Sequence, residues 1–288
     1  MNLDNIRKVD FHMHTTASDG TDTPAELLFK IKESRIDLFA ITDHDTSLGC
    51  VDMMKTLKDD DPKFISGIEF SCKDEMGKYH ILGYNYDLYG DAITDAIDLG
   101  HQYRMNKVYA RLELLKEKYG FVFRDEDVEK LLSYNNPGKP HIGNMMVEYG
   151  YAKSKDEAIT KYINNCNSKS RYLSPKEAIQ AILESDGIPV LAHPFYGDGE
   201  QVIVGNEMEE RLKRLMSFGL KGVEAYYSGF SIKLQNEMIL YAKKYHLYIT
   251  AGSDYHGTNK LVQLGDTNLT DLHEGDEDVK RFVQALKD

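Results

Sequence analysis

Nine side chains able to bind metal ions stand at or beside successive apolar runs of this chain: His12, His14, Asp19, His44, Glu69, His80, His193, Asp254 and His256. His12 and His14 close Val9-Asp10-Phe11, and His44 closes Leu38 to Asp43. Glu69 follows Phe64 to Ile68, His80 precedes Ile81 to Tyr84, and His193 ends Pro189 to Ala192. Asp254 and His256 follow Tyr248 to Ser253. A zinc ion takes about four ligands, so nine imply two or three divalent ions. Imidazole and carboxylate donors without cysteine suit manganese, iron or zinc. Manganese heads the expectation, with zinc, iron or magnesium as alternatives. Such ions acidify bound water and clamp phosphoryl oxygens. The implied reaction is hydrolysis of a phosphate ester by a metal-bridging hydroxide. Neither a nucleophilic-serine elbow nor a phosphate-cradling glycine loop is present.

No one of these residues carries the reading alone. His12-x-His14 fits a polar strand end equally well, and Glu69 fits an ion pair. Jointly, polar groups recur at six strand ends, as on the C-terminal rim of a (β/α) barrel. Thr23-Pro24-Ala25-Glu26 and Ser174-Pro175-Lys176-Glu177 are helix-start signals, and Gly187 is placed to end the second helix. Met208 to Phe218 and Ile232 to Tyr245 are helical patterns flanking a buried strand, Gly222 to Ala225. About seven strand signals, most followed by helices, predict an α/β fold with a parallel array closed into a barrel. The alternation stops between residues 98 and 168. There Met105, Val108, Leu112, Leu115 and Tyr119 recur at helical spacing, and Asp125–Leu132, Asn144–Tyr149 and Asp156–Tyr162 read as shorter helices. The expected organisation is a barrel domain, 1–97 and 169–288, with a small helical insertion domain, 98–168, capping the substrate.

A formal charge of -12 argues against a protein that coats long duplex nucleic acid. A small anionic substrate stays open, because bound cations dominate the local field. Three cysteines without paired spacing, and no signal peptide, point to a reducing cytoplasm. No membrane span and no obligate protein partner are expected. Tyr226 and Tyr227 are read as core aromatics, and His101, His246 and His273 as surface residues.

His12-x-His14…Ser18-Asp19-Gly20, Thr42-Asp43-His44-Asp45, Gly67-Ile68-Glu69, His80 to Tyr84, Leu191-Ala192-His193-Pro194 and Gly252-Ser253-Asp254-x-His256-Gly257 together resemble the motifs of the PHP (polymerase and histidinol phosphatase) superfamily. The resemblance spans nearly the whole chain and is strongest to the TrpH/YciV-like branch. It implies a distorted (β/α)7 barrel with a trinuclear centre. His12, His14, Glu69 and Asp254 would surround one ion. Glu69 would bridge to a second ion held by His80 and His193, and Asp19, His44 and His256 would hold the third. It also implies removal of the 3′-phosphate from 3′,5′-nucleoside bisphosphates, or 5′-to-3′ trimming of short RNA. Basic residues of the insertion would bind substrate phosphates. The matching positions here are Arg104, Lys139, His141 and Arg171, with Lys where the family more often has Arg at 139. Lys107 lies one helical turn from Arg104, and a solvated face explains it equally well. Histidinol-phosphate phosphatase and a non-catalytic metal-binding regulatory module are the competing readings. Amidohydrolase chemistry lacks its carboxylated lysine.

Overall fold

The computed structural model describes residues 4–166, 171–197 and 202–286. The chain order is β1 (Val9–Asp10), α1 (Pro24–Glu33), β2 (Leu38–Ile41), α2 (Leu48–Thr56), β3 (Lys63–Asp74) and β4 (Gly77–Tyr84), then four helices. These are α3 (Asp91–Tyr119), α4 (Asp125–Leu132), α5 (Lys139–Glu148) and α6 (Lys155–Glu157). Then come α7 (Pro175–Glu184), β5 (Ile188–Leu191), α8 (Gly205–Phe218), β6 (Gly222–Tyr227), α9 (Ile232–Tyr245), β7 (Tyr248–Gly252) and α10 (Glu277–Ala285). The start signals work as local chemistry dictates. Thr23 Oγ1 accepts from the Glu26 N–H, and the Glu26 carboxylate accepts from the Thr23 N–H. Ser174 and Glu177 repeat the exchange. The second helix stops at Glu184, and the Gly187 N–H returns to the Ile182 carbonyl at 2.8 Å.

The seven strands form one sheet in sequential order. The sheet curls into a nearly closed barrel, because the Phe11 N–H donates to the Ala251 carbonyl at 2.9 Å and Met13 bridges Tyr255. The array is not wholly parallel. β4 runs antiparallel to both β3 and β5. Only Glu75 and Met76 separate β3 from β4, a link far too short for the crossover that parallel strands need. The reversal puts the N-terminal half of β4 at the rim where other strands present their C-terminal ends. His80 reaches the site from there, paired with Ser71. Glu69 accordingly lies inside β3 rather than beyond it.

Helix α3 is one 29-residue rod through the expected boundary at 98. Its Ile93 and Ala96 pack in the barrel core, and its Val108 and Leu115 join a separate core with Leu131, Ile142 and Met146. α5 begins earlier than its sequence pattern, at Lys139. A π-helical turn, Ala158–Tyr162, follows α6. The expected boundary at 168/169 lies outside the described residues. Among the described residues, no helix is long and apolar enough to cross a membrane. All three cysteines are free and buried.

Candidate metal centre

The nine ligands converge on the rim, and the backbone there is forced into place. Asp254 and His193 have φ of 58° and 26°, values costly for residues with a Cβ. Gly20 and Gly252 are needed for close approach: a Cβ would stand 2.4 Å from the His14 carbonyl oxygen at Gly20, and 2.3 Å from Glu224 Oε1 at Gly252.

Glu69 sits at the middle and is buried. Its Oε2 lies 3.4 Å from His12 Nε2, 3.2 Å from His14 Nε2 and 3.2 Å from His44 Nδ1. Its Oε1 lies 2.9 Å from His80 Nδ1 and 3.2 Å from His193 Nε2. Asp254 Oδ1 stands 3.5 Å from His12 Nε2 and 3.4 Å from His14 Nε2. Asp19 faces His256 Nε2 at 3.3 Å and His44 Nε2 at 3.9 Å. Four overlapping donor groups result: His14, Asp19, His44 and His256; His12, His14 and Asp254; His12, Glu69 and His193; His44, Glu69 and His80.

The donor atoms fit divalent cations. His12 Nε2, His14 Nε2 and His44 Nδ1 are buried without a hydrogen-bond partner, a costly state in the absence of a ligand. Three buried carboxylates face six imidazoles. Burial opposes ionisation of Glu69, Asp19 and Asp254, yet neighbouring imidazoles, and Lys260 beside Asp254, hold all three well below the usual carboxylate range. Burial also disfavours the His14 imidazolium, but Asp254 and Glu69 carry it up to about 9. Burial takes His44 down to about 3, so its nitrogen lone pairs stay available.

A second layer of side chains fixes these ligands. Glu224 is fully buried; its Oε1 meets His12 Nδ1 at 2.9 Å and its Oε2 accepts the His193 N–H at 2.8 Å. A carboxylate on the remote imidazole nitrogen sets the tautomer for metal binding. Asp10 joins β1 to the β7 loop by accepting from the backbone N–H groups of His12, Ser253 and Gly265; burial raises its carboxyl to about 6. Asp43 accepts from the Thr15 N–H and hydroxyl and the Ser18 hydroxyl, so it orients the His14–Asp19 loop rather than the His44 ring. Tyr227 OH donates to Asp254 Oδ2 at 2.9 Å, and Lys260 Nζ joins both. Tyr226 and Tyr227 both pack in the core as expected, and Tyr227 also lines the cavity at the metal centre. Of these, Glu224 left a readable sign, a carboxylate inside an apolar strand.

Two lobes open from the cluster. A lobe of about 210 Å³ is lined by Asp19, His44 and His80 and by five cations: Lys78, Arg104, Lys107, Arg111 and Lys139. Arg104 Nε and Nη2 grip Asp45 Oδ2, and Nη2 also reaches Ser71 Oγ at 2.9 Å. Lys107 is buried with its ammonium 3.7 Å from the Tyr172 ring centre; burial beside Arg104 takes its pKa down to about 7. Lys107 is therefore no solvated face. Two expected substrate residues lie elsewhere. His141 Nδ1 accepts from the Gly138 N–H at the start of α5, its ring packs 4.8 Å from Tyr134, and it lines a separate small cavity. Arg171 is exposed and lines neither lobe. The second lobe, about 510 Å³, shares Asp19, His44, His80 and Pro140, contains Glu69, His193, Asp254 and His256 of the cluster, and extends to Tyr196, Tyr227, Asn259 and Lys260. The insertion grips the rim through Asn136 Nδ2 on the His44 carbonyl and Lys155 Nζ on Asn259.

Known proteins resemble this chain in sequence and fold. The chain is 27% identical over 263 residues to the Escherichia coli 5′-3′ exoribonuclease Rnm, covering 89% of this chain and 87% of that one. It is 26% identical over 262 residues to a 3′,5′-nucleoside bisphosphate phosphatase of Chromobacterium violaceum, covering 87% and 88%. A crystal structure from Bifidobacterium adolescentis, assigned as a metal-dependent phosphoesterase, superposes with a TM-score of 0.84 at 26% identity, over 97% of this chain and 96% of the other. The PHP domain model matches residues 10–255, and the chain belongs to the PHP-domain family.

Proposed function

We propose that this protein hydrolyses phosphate esters of nucleotides, removing the 3′-phosphate of 3′,5′-nucleoside bisphosphates and shortening oligoribonucleotides from the 5′ end. The family and the named relatives support a metal-dependent phosphoesterase. The observation carrying the finer reading is the cationic lobe that opens directly off the ligand cluster. A substrate phosphate at the cluster leaves a second anionic group facing five cations in an otherwise acidic protein.

The overlapping donor groups support more than one ion; we take three, with manganese as the first candidate. Glu69 and Asp254 with His12 and His14 would hold one; Glu69 Oε1 with His80 and His193 a second; Asp19, His44 and His256 a third. When bound, the ions supply a deprotonated water as nucleophile and neutralise phosphoryl charge. The chain's own residues do the rest. Glu224 fixes the His12 ring and the His193 backbone. Asp45 pins Arg104, so the guanidinium enters the lobe already oriented, which lowers the ordering cost of binding. Lys107 and Lys139 add charge beside it.

Phosphate release by manganese-loaded protein from adenosine 3′,5′-bisphosphate, AMP and histidinol phosphate tests the reading. The expected result is chelator-sensitive release from the bisphosphate with AMP as product. Release confined to histidinol phosphate would assign the competing phosphatase activity, and silence on all three would favour a regulatory module.

A further inference from the structure

We propose that the Tyr196 and Lys260 end of the larger lobe is the subsite for the nucleotide that follows the scissile phosphate in an oligoribonucleotide. The inference rests on the phosphoesterase reading above and names the residues that would hold the next unit of such a substrate.

Two lobes meet at Asp19, His44, His80 and Pro140, which line both. The reacting phosphoryl group belongs at this junction. The cationic lobe, at about 210 Å³, takes the substrate's other phosphate. The other lobe, about 510 Å³, is lined by Glu69, His193, Asp254 and His256 as well, so it contains the cluster and extends from it to Tyr196, Asn259 and Lys260. A terminal 3′-phosphate fills only the part beside the candidate ligands. The internal phosphate of a strand reaches further, because one of its oxygens carries the next nucleotide. In both cases a water oxygen bonds to phosphorus and the P–O3′ bond breaks. Its electron pair stays on O3′, which takes a proton. The bisphosphate yields inorganic phosphate and a nucleoside 5′-phosphate. The strand yields a nucleoside 5′-phosphate and a chain one residue shorter that begins with a new 5′-phosphate. The two reactions are one bond cleavage, differing only in what hangs from phosphorus into the large lobe.

The lobe carries the groups a nucleotide needs. An ammonium has three donors. Lys260 spends two on Asp254 Oδ2 and Tyr227 OH, and the third is left for the cavity it lines. Those two bonds hold the ammonium in place, and coordination through Asp254 Oδ1 would draw that carboxylate's charge toward a cation. Tyr196 is fixed by its hydroxyl on the Gly229 carbonyl at 2.9 Å and by Phe230 at 5.4 Å. It offers a partly exposed ring for base stacking.

The test compares steady-state hydrolysis of adenosine 3′,5′-bisphosphate and a 5′-phosphorylated trinucleotide by wild type, Lys260→Gln, Lys260→Arg and Tyr196→Ala. Metal content is measured on each protein. Anisotropy of a 3′-labelled, phosphorothioate-linked trinucleotide reads binding without turnover. Lys260→Gln is expected to lower kcat on both substrates, since Asp254 loses a partner. It should also raise the trinucleotide KM about tenfold more than the bisphosphate KM, the size of one lost charge-assisted contact. Lys260→Arg should restore most of that difference, and Tyr196→Ala should weaken trinucleotide binding. Equal KM changes on the two substrates, or a loss explained wholly by lost metal, would overturn the proposal. So would a wild type that hydrolyses the bisphosphate yet fails to bind the trinucleotide. A wild type inactive on both substrates would instead remove the phosphoesterase reading beneath it.

Discussion

The two walls of the cleft are built differently. The metal wall is made by strands β3 and β4 and by short loops at the ends of the other barrel strands, with strained backbone at His193 and Asp254. The cationic wall is assembled from β3, β4, α3, the start of α5 and Tyr172, segments distant in the chain. One wall sets carboxylates against imidazoles. The other gathers like charges, with Asp45 gripping Arg104. A protein tolerates such a cluster of cations when an anion completes it. The metal wall is therefore assigned the chemistry, and the cationic wall the choice of substrate.

The largest expected effect breaks the metal wall. Glu69→Gln or Asp254→Ala should cut turnover on every phosphate ester on the order of a thousandfold or more, because transition-state charge loses its main stabiliser. KM for bisphosphate against monophosphate should keep its ratio. Near-normal turnover with metal content retained would remove these residues from the centre.

Next comes the cationic wall. Arg104→Ala should raise KM for the bisphosphate about 10- to 100-fold, from the loss of contacts worth about 1.5–3 kcal/mol, with far less effect on AMP. It also leaves Asp45 buried and unpaired, a loss of about 3–5 kcal/mol in stability, which urea unfolding would register. Equal KM changes on the two substrates would dissolve the division between the walls. Glu224→Gln probes the layer behind the metal wall. It should lower metal affinity or turnover about 10- to 100-fold without favouring either substrate. A change confined to bisphosphate KM would contradict its role through His12.

These contrasts explain what the sequence disclosed. The candidate ligands were legible because most stand at or just past a strand end: local pattern alone put His44, His193 and Asp254 at the rim. The barrel and its inserted helices were legible for the same reason, through the Thr23 and Ser174 capping signals and the helical spacing from Val108 to Leu115. The β3–β4 reversal was not, although only two residues separate the strands. The cationic wall was poorly legible, since it depends on which distant segments meet. Lys107 looked like a solvated position until Tyr172 covered it. His141 was read as a phosphate ligand; its Nδ1 serves the start of α5. Lys260 follows the last ligand motif and gave no sign of reaching Asp254 and Tyr227.

The smallest expected effect is a pH dependence that belongs to one wall only. Burial beside Arg104 lowers the Lys107 pKa to about 7. The depressed value means that burial destabilises the fold progressively as pH falls toward 7 and the amine ionises. A bound phosphate favours the charged form, so binding takes up a proton. Bisphosphate KM should therefore rise several-fold as pH increases through 7. Lys107→Met should flatten that rise, whereas a profile unchanged by the substitution would place the titration elsewhere.

The most direct measurement is a crystal structure of the manganese-loaded Asp254→Ala protein with adenosine 3′,5′-bisphosphate bound. The expected electron density places the 3′-phosphate at the junction of the lobes beside Asp19, His44 and His80, and the 5′-phosphate against Arg104, Lys107 and Lys139. A bisphosphate whose second phosphate lies outside the cationic lobe, with that lobe filled only by solvent, would contradict the division of labour between the two walls.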